Sequence, residues 1–298
     1  MENTVLSIQN LNKNYGKIRA VNDLSLQVQA GDVFGILGPN GSGKTTTLGI
    51  VLSVINASGG TFSWFGKEPS KSDRKKIGAI LEVPIFYPYL SAETNLKIVA
   101  DIKGSSYETI PEVLEIVDLT ERKKSKFQTY SLGMKQRLAI AAALVGDPEV
   151  LILDEPTNGL DPQGIAEIRE LILKIAGRGI TIIVASHLLD EVQKICSHVV
   201  VLERGKNIFT GKVADILNAS TLVEVGSRDI PTLEKHLSES EHVISFEKEN
   251  DILLVNLKEN FLSDDLNRDL FSKGISLTHL AIRKRSLENY FLELTSEK

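Results

Sequence analysis

Nine residues, Gly38 to Thr46, restrict what this chain can fold into more than any other stretch; they read Gly-Pro-Asn-Gly-Ser-Gly-Lys-Thr-Thr. Gly38, Gly43, Lys44 and Thr45 fit the G-x-x-x-x-G-K-[ST] pattern, whose glycines let successive backbone N–H groups turn inward on a triphosphate. Such a loop needs a strand before it and a helix after it. Residues 32–37 (Asp-Val-Phe-Gly-Ile-Leu) read as a short buried strand and residues 46–53 as an apolar-rich helix. Phosphates would rest on the helix N-terminus, where free N–H groups and the dipole favour anions. Gly38, Pro39, Asn40, Gly41, Ser42, Gly43 and Thr46 are expected to line the triphosphate. Lys44 would reach its β- and γ-phosphates as a point charge, and the Thr45 hydroxyl would ligate a bridging magnesium ion.

A second feature of this kind lies far down the chain. Residues 150–153 (Val-Leu-Ile-Leu) are purely apolar, as in the centre of a parallel sheet, and they deliver Asp154 and Glu155 at the strand's carboxyl end. Ligands of open α/β sheets gather at that edge. Beside a phosphate loop the two carboxylates divide into roles: Asp154 holds magnesium, and Glu155 accepts a proton from, or orients, the attacking water. Another apolar run, residues 180–185, ends in Ser186-His187, which makes His187 a candidate sensor of the γ-phosphate.

At 298 residues there is room for one large α/β domain and a smaller one. Hydrophobic content of 42% and charged content of 24% argue against long disorder. Net charge is −5, so there is no basic footprint for a nucleic-acid backbone, and none is expected as a partner. The single Cys196 cannot form an internal disulfide, which points to a reducing compartment. No apolar run approaches the roughly 20 residues of a membrane span, and no signal-peptide pattern opens the chain. A membrane, if involved, would be supplied by another chain.

Around these motifs the patterns are regular. Residues 4–8, 24–28 and 61–65 alternate and suggest an N-terminal antiparallel sheet; Tyr15, in the turn Asn14 to Lys17, offers a flat face for an adenine ring. A buried strand is expected at 77–82. Residues 85–91 hold three aromatics between prolines on an irregular loop, either sealing the underside of a helical subdomain or forming a contact surface for a partner. Helices are expected at 92–101, 111–119, from Ser131 through Ala143, 165–175 and 188–196, with Ser131 as a cap and its helix N-terminus as a second place for a phosphate. A last hairpin surrounds Glu203 to Lys206.

From about Ser220 the pattern becomes strand, helix, strand, strand, helix, strand and a closing helix at 287–294, the split βαββαβ order of a small ferredoxin-like domain. After residue 219 there are 10 basic and 15 acidic side chains, against 24 of each before it, so the whole net charge belongs to this tail. It carries no catalytic constellation. Arg283-Lys284-Arg285 reads as a solvated strand end, with contact to anionic lipid as the alternative.

With these pieces placed, residues 4–217 resemble the ATP-binding cassette (ABC) ATPases, the nucleotide-binding subunits of membrane transporters. The remainder is similar to the accessory C-terminal domain of antibiotic and bacteriocin exporter ATPases of the bacitracin-resistance type. The resemblance implies a P-loop NTPase cassette over 1–219, with an α/β core, an N-terminal antiparallel sheet and a helical subdomain at about 88–147, followed by an α+β domain over 220–298. It makes Gly38–Thr46 the Walker A motif, Val150–Glu155 Walker B, Gly159-Leu160-Asp161 the D-loop, His187 the switch histidine and Tyr15 the adenine-stacking residue. Ser131 to Arg137 would be the signature motif, with Ser131, Gly133 and Met134 meeting the γ-phosphate of ATP held by another copy. Two departures stand out. The usual Leu-Ser-Gly-Gly-Gln is Tyr-Ser-Leu-Gly-Met here, and the Met134 side chain cannot replace glutamine's hydrogen bonds. Where the family places a glutamine on magnesium and water stands Glu82, which can ligate magnesium but adds negative charge near the γ-phosphate.

The resemblance further implies an ATP- and magnesium-dependent homodimer at the cytoplasmic face of the cell membrane, powering an export permease that it meets through the loop from Phe86 to Tyr89. Two rivals are a soluble cassette acting on ribosomes or DNA, and an ATP-binding regulator with little turnover, which Glu82 would favour. One phosphate loop, no Cys cluster, no heptads and no basic surface speak against the first.

Overall fold

The computed structural model describes residues 4–81, 85–218, 221–258, 261–283, 286–288 and 290–291. Two compact units divide the chain, Met1–Gly211 and Lys212–Lys298. The boundary expected after residue 219 falls inside the second.

Unit one opens with strands β1 (Thr4–Tyr15) and β2 (Ile18–Gln29), each longer than its alternation suggests. Register shifts between Ile8 and Leu11 and again at Lys13 interrupt the period of two while the antiparallel pairing continues. Strand β3 (Val33–Leu37) is buried throughout and runs into the phosphate loop, and helix α1 (Lys44–Val51) starts at Lys44. Strand β4 (Gly59–Trp64) pairs with β1, completing a three-stranded antiparallel sheet in the order β2-β1-β4. Trp64, 1% exposed, donates its Nε1–H to Val51 O at 2.8 Å and so pins this sheet to the end of α1.

A short helix, α2 (Lys71–Lys75), leads to β5 (Ile77–Ile80), the described part of the strand expected at 77–82. Helices α3 (Ala92–Lys103), α4 (Ile110–Ile116) and α5 (Leu132–Leu144) then pack together between β5 and β6 (Val150–Asp154). Helix α6 (Pro162–Ala176), β7 (Thr181–Ser186), α7 (Leu189–Ile195), β8 (His198–Glu203) and β9 (Lys206–Lys212) complete this part. The six-stranded sheet has the order β5-β6-β7-β3-β8-β9, with parallel pairing from β5 through β8. Neighbouring strands β6, β7 and β3 therefore end side by side: Asp154 lies opposite Ala185, and Leu37 opposite Ser186. One core, including Leu6, Leu24, Trp64, Leu48 and Ile152, lies between the small sheet, α1 and the large sheet.

After α8 (Val213–Asn218), unit two comprises β10 (Thr221–Ser227), α9 (Ile230–Glu239), β11 (Val243–Glu249), β12 (Ile252–Leu257), α10 (Ser263–Ser272) and β13 (Leu277–Arg283). Its sheet is antiparallel in the order β11-β12-β10-β13, the order of a split βαββαβ unit. Val223, Val225, Leu253, Val255, Leu233 and Leu266 are fully buried between sheet and helices. Half of the closing helix expected at 287–294, and Lys284 and Arg285, lie outside the described residues. Arg283 pairs with Glu249 at 3.1 Å, an ordinary strand-end ion pair.

Candidate functional site

Three parallel strands ending together place the phosphate loop, the Asp154-Glu155 pair and Ser186-His187 on one carboxyl edge. Backbone approaches too close for side chains shape the loop. A Cβ on Gly38 would lie 2.3 Å from Leu202 O, and one on Gly43 would lie 2.3 Å from Ala20 O. The loop is thus pressed between β8 and β2, which is why glycine is needed at both positions. Gly205 N–H donates to Ser42 O at 3.0 Å, and Asn22 N–H to Gly205 O at 2.8 Å, so the β8–β9 turn ties loop and β2 together. Ser42 is 2% exposed, and its Oγ has no hydrogen-bond partner among the described residues. An orphaned buried hydroxyl in a glycine-rich loop at a helix N-terminus suits a polyanion.

Lys44 is 5% exposed; its Nζ donates to Gly38 O at 2.8 Å and Pro39 O at 3.3 Å, and it faces Glu155 Oε1 at 3.3 Å. The other oxygen of Glu155, Oε2, is 2.8 Å from His187 Nδ1. Glu155 is thereby held between a cation and an imidazole, with a left-handed backbone (φ 48°) and its N–H bonded to Ala185 O. Thr45 Oγ1–H donates to Asp154 Oδ2 at 2.7 Å. These are hard oxygens of the kind magnesium takes, and among the described residues no group of three or more His, Cys, Asp or Glu stands ready to hold a metal. Such a pair suits an ion whose remaining ligands come from phosphate and water. Tyr15, at the tip of the β1–β2 hairpin, is half exposed with Lys13 Nζ 4.9 Å from its ring centre. Glu82 lies outside the described residues.

The remaining predicted residues gather elsewhere. Ser131 caps α5 by accepting from Met134 N–H at 3.2 Å, leaving its hydroxyl hydrogen free to donate; Met134 enters through its backbone. Asp161 caps α6 by accepting from Gly164 N–H at 2.9 Å. Ser131, Gly133, Gly159 and Asp161 line one groove of about 490 Å³ that includes no residue of the phosphate loop and none of Asp154, Glu155 or His187. Sequence reasoning assigns no role to two further residues. Leu132 is 52% exposed in this groove, and Arg137 bridges Asp118 on one side (3.0 Å) and Glu167 of α6 on the other (2.9 Å). Their places in the signature run are the only signal for them.

The rings of the aromatic loop differ in their surroundings. Phe86 packs edge-on against Phe127 (5.0 Å between ring centres), while Tyr87 and Tyr89 are half to two-thirds exposed. Buried Asn95 fixes the loop, accepting from Tyr87 N–H at 2.9 Å and donating to Tyr87 O and Ser91 O.

Comparison with known proteins agrees with this geometry. The ABC transporter family profile matches residues 21–158. An uncharacterized ABC transporter ATP-binding protein, YhcH of Bacillus subtilis (strain 168), is 40% identical over 99% of this chain and 97% of its own length. The bacitracin transport ATP-binding protein BcrA of Bacillus licheniformis is 38% identical over 98% and 97%. Among solved structures, the dimeric post-hydrolysis state of the ATP-binding cassette MJ0796, bound to ADP and Pi, superposes with a TM-score of 0.61 at 25% identity, covering 70% of this chain and 98% of that one. The chain belongs to the ATP-binding proteins of ABC transporters, and its activity is the ATP hydrolysis of that family's cassettes.

Proposed function

We propose that two copies of this chain close head to tail on two ATP molecules and power an export permease. One observation carries the reading: the groove of Ser131, Gly133 and Asp161 contains no residue of the phosphate-loop cluster, so each chain offers two different half-sites. Each ATP would lie on the loop of one copy and under Ser131 and Gly133 of the other. The dimeric cassette with ADP and Pi supports the arrangement.

Pro39, Asn40, Gly41, Ser42 and Thr46 complete the cradle, and Tyr15 stacks on the adenine. Lys44 exchanges the carbonyls of Gly38 and Pro39 for phosphate oxygens. Thr45 and Asp154, already 2.7 Å apart, would hold magnesium, and Glu82 is the further ligand the sequence offers. The chemistry that such an ion would supply there is neutralisation of phosphate charge. Glu155 takes the proton of the attacking water as its oxygen bonds to the γ-phosphorus and the β–γ bridging oxygen leaves with ADP. His187, 2.8 Å away, fixes the direction of that carboxylate and faces the γ-phosphate.

Among the described residues no helix is long and apolar enough to cross a membrane; the permease of this reading is a separate chain. Tyr87 and Tyr89, next in the chain to Ile85 and Phe86 of a cavity of about 370 Å³ that Val99 and Lys103 also line, would be its contact, with this protein at the cytoplasmic face. Similarity to bacitracin transport proteins suggests a peptide antibiotic as cargo. Steady-state hydrolysis by purified protein tests the core of this. Glu155→Gln should lower turnover ~100-fold or more while ATP converts the protein to a dimer on size-exclusion chromatography. Turnover at the wild-type rate would remove Glu155 from the chemistry.

A further inference from the structure

We infer that Lys13 is a positioning residue for nucleotide binding: it fixes the ring of Tyr15 from one side and leaves the other side as the face on which the base stacks. The inference rests on the reading of Tyr15 as the base platform. Tyr15 ends strand β1 immediately before the turn at Gly16 and Lys17, and it is 48% exposed. A half-exposed tyrosine has two rotatable bonds to fix, so stacking a base on a loose ring costs the ordering of that ring at the moment of binding. Lys13, two residues earlier on β1, lowers this cost. Its Nζ sits over the ring, 4.9 Å from the centre, where the negative face of the π-system attracts a cation.

The lysine is itself anchored. Its Nζ donates to Asn56 O at 2.7 Å, so the charge is held over the ring and not extended into water. Asn56 belongs to the connection between α1 and β4, and the same connection grips this arm of the hairpin at two more points. Ser58 N–H donates to Asn12 O at 2.7 Å, and Asn14 N–H donates to Ser58 Oγ at 3.0 Å. Residues 12–14 are thereby tied to the segment that leaves α1, the helix whose other end begins in the phosphate loop. With one face of Tyr15 under the ammonium, a base has the opposite face. In such a sandwich the cation draws electron density away from the side on which the base lies, which lowers the repulsion between two stacked π-systems.

Isothermal titration of the full chain with two probes in magnesium buffer tests this: ADP, which is not turned over, and inorganic pyrophosphate, which has no base. Lys13→Ala should weaken ADP binding about 2- to 10-fold, the range for ordering one side chain, and leave pyrophosphate binding unchanged. Lys13→Arg, which can lie over the ring and donate to the same carbonyl, should recover most of the ADP affinity. In Tyr15→Ala, adding Lys13→Ala should have no further effect, because the lysine acts through the ring. Equal losses for ADP and pyrophosphate would make Lys13 a charge that draws in phosphates and overturn the proposal. Unchanged ADP affinity in Lys13→Ala, or full additivity of the two substitutions, would overturn it as well. Failure of the platform reading appears separately, as a Tyr15→Ala variant that binds ADP as tightly as the wild type.

Discussion

Lys44 illustrates how a single residue holds the phosphate loop in shape. A buried ammonium is tolerated only when paired and hydrogen-bonded, and here two carbonyls and one carboxylate share that task. On the proposed reading a phosphate would replace partners that are already of the right polarity. Lys44→Ala should weaken ATP binding ~10–100-fold, about 1.5–3 kcal/mol for a charge-assisted hydrogen bond. Lys44→Arg should not restore it, because a planar fork does not fit a site built for a point charge. Isothermal titration calorimetry reads both, and wild-type affinity in Lys44→Ala would take the residue out of phosphate binding.

Helix α5 is capped by Ser131 at one end and closed at the other by a residue from a different helix. Lys103 Nζ donates to Ala142 O, Ala143 O and Val145 O at 2.9–3.1 Å, satisfying carbonyls that a helix end leaves open and placing a cation at its negative pole. Burial pulls this ammonium down to about 8. Lys103→Met should cost about 1–3 kcal/mol for the stranded carbonyls, seen as a lower Tm in circular dichroism. An unchanged Tm would show that water replaces the lysine at no cost. This contact was not legible in the sequence, since its partners lie about forty positions away with no pattern linking them. Strands β6 and β7 were legible, because a strand buried on both faces must be apolar at every position, and so was the site that their ends define. The lengths of β1 and β2 were hidden by bulges. Helix α2 (Lys-Ser-Asp-Arg-Lys) escapes a search for apolar periodicity because every side chain is polar; its signal is the capping box between Ser70 and Asp73. Arg137 stood in plain view within the signature run, but its partner Glu167 lies on α6, and no local rule reports it.

At the scale of the whole molecule, the two compact units bury separate apolar clusters and imply two folding units. Residues 212–298 bury their own apolar set, including Val225, Leu253 and Leu270, and this fragment expressed alone should unfold in one cooperative thermal transition. A broad, featureless melt would mean that it depends on the rest of the chain. The left-handed backbone of Glu155 also has a consequence for the chain as a whole. Holding a residue with a side chain at φ 48° costs of the order of 1–3 kcal/mol, against a total stability that for most domains is only about 5–15 kcal/mol. Glycine or asparagine would relieve that strain and abolish the proposed chemistry. Stability and activity are therefore in opposition at this one position, and a lineage bred for heat resistance alone would have no reason to keep a glutamate there.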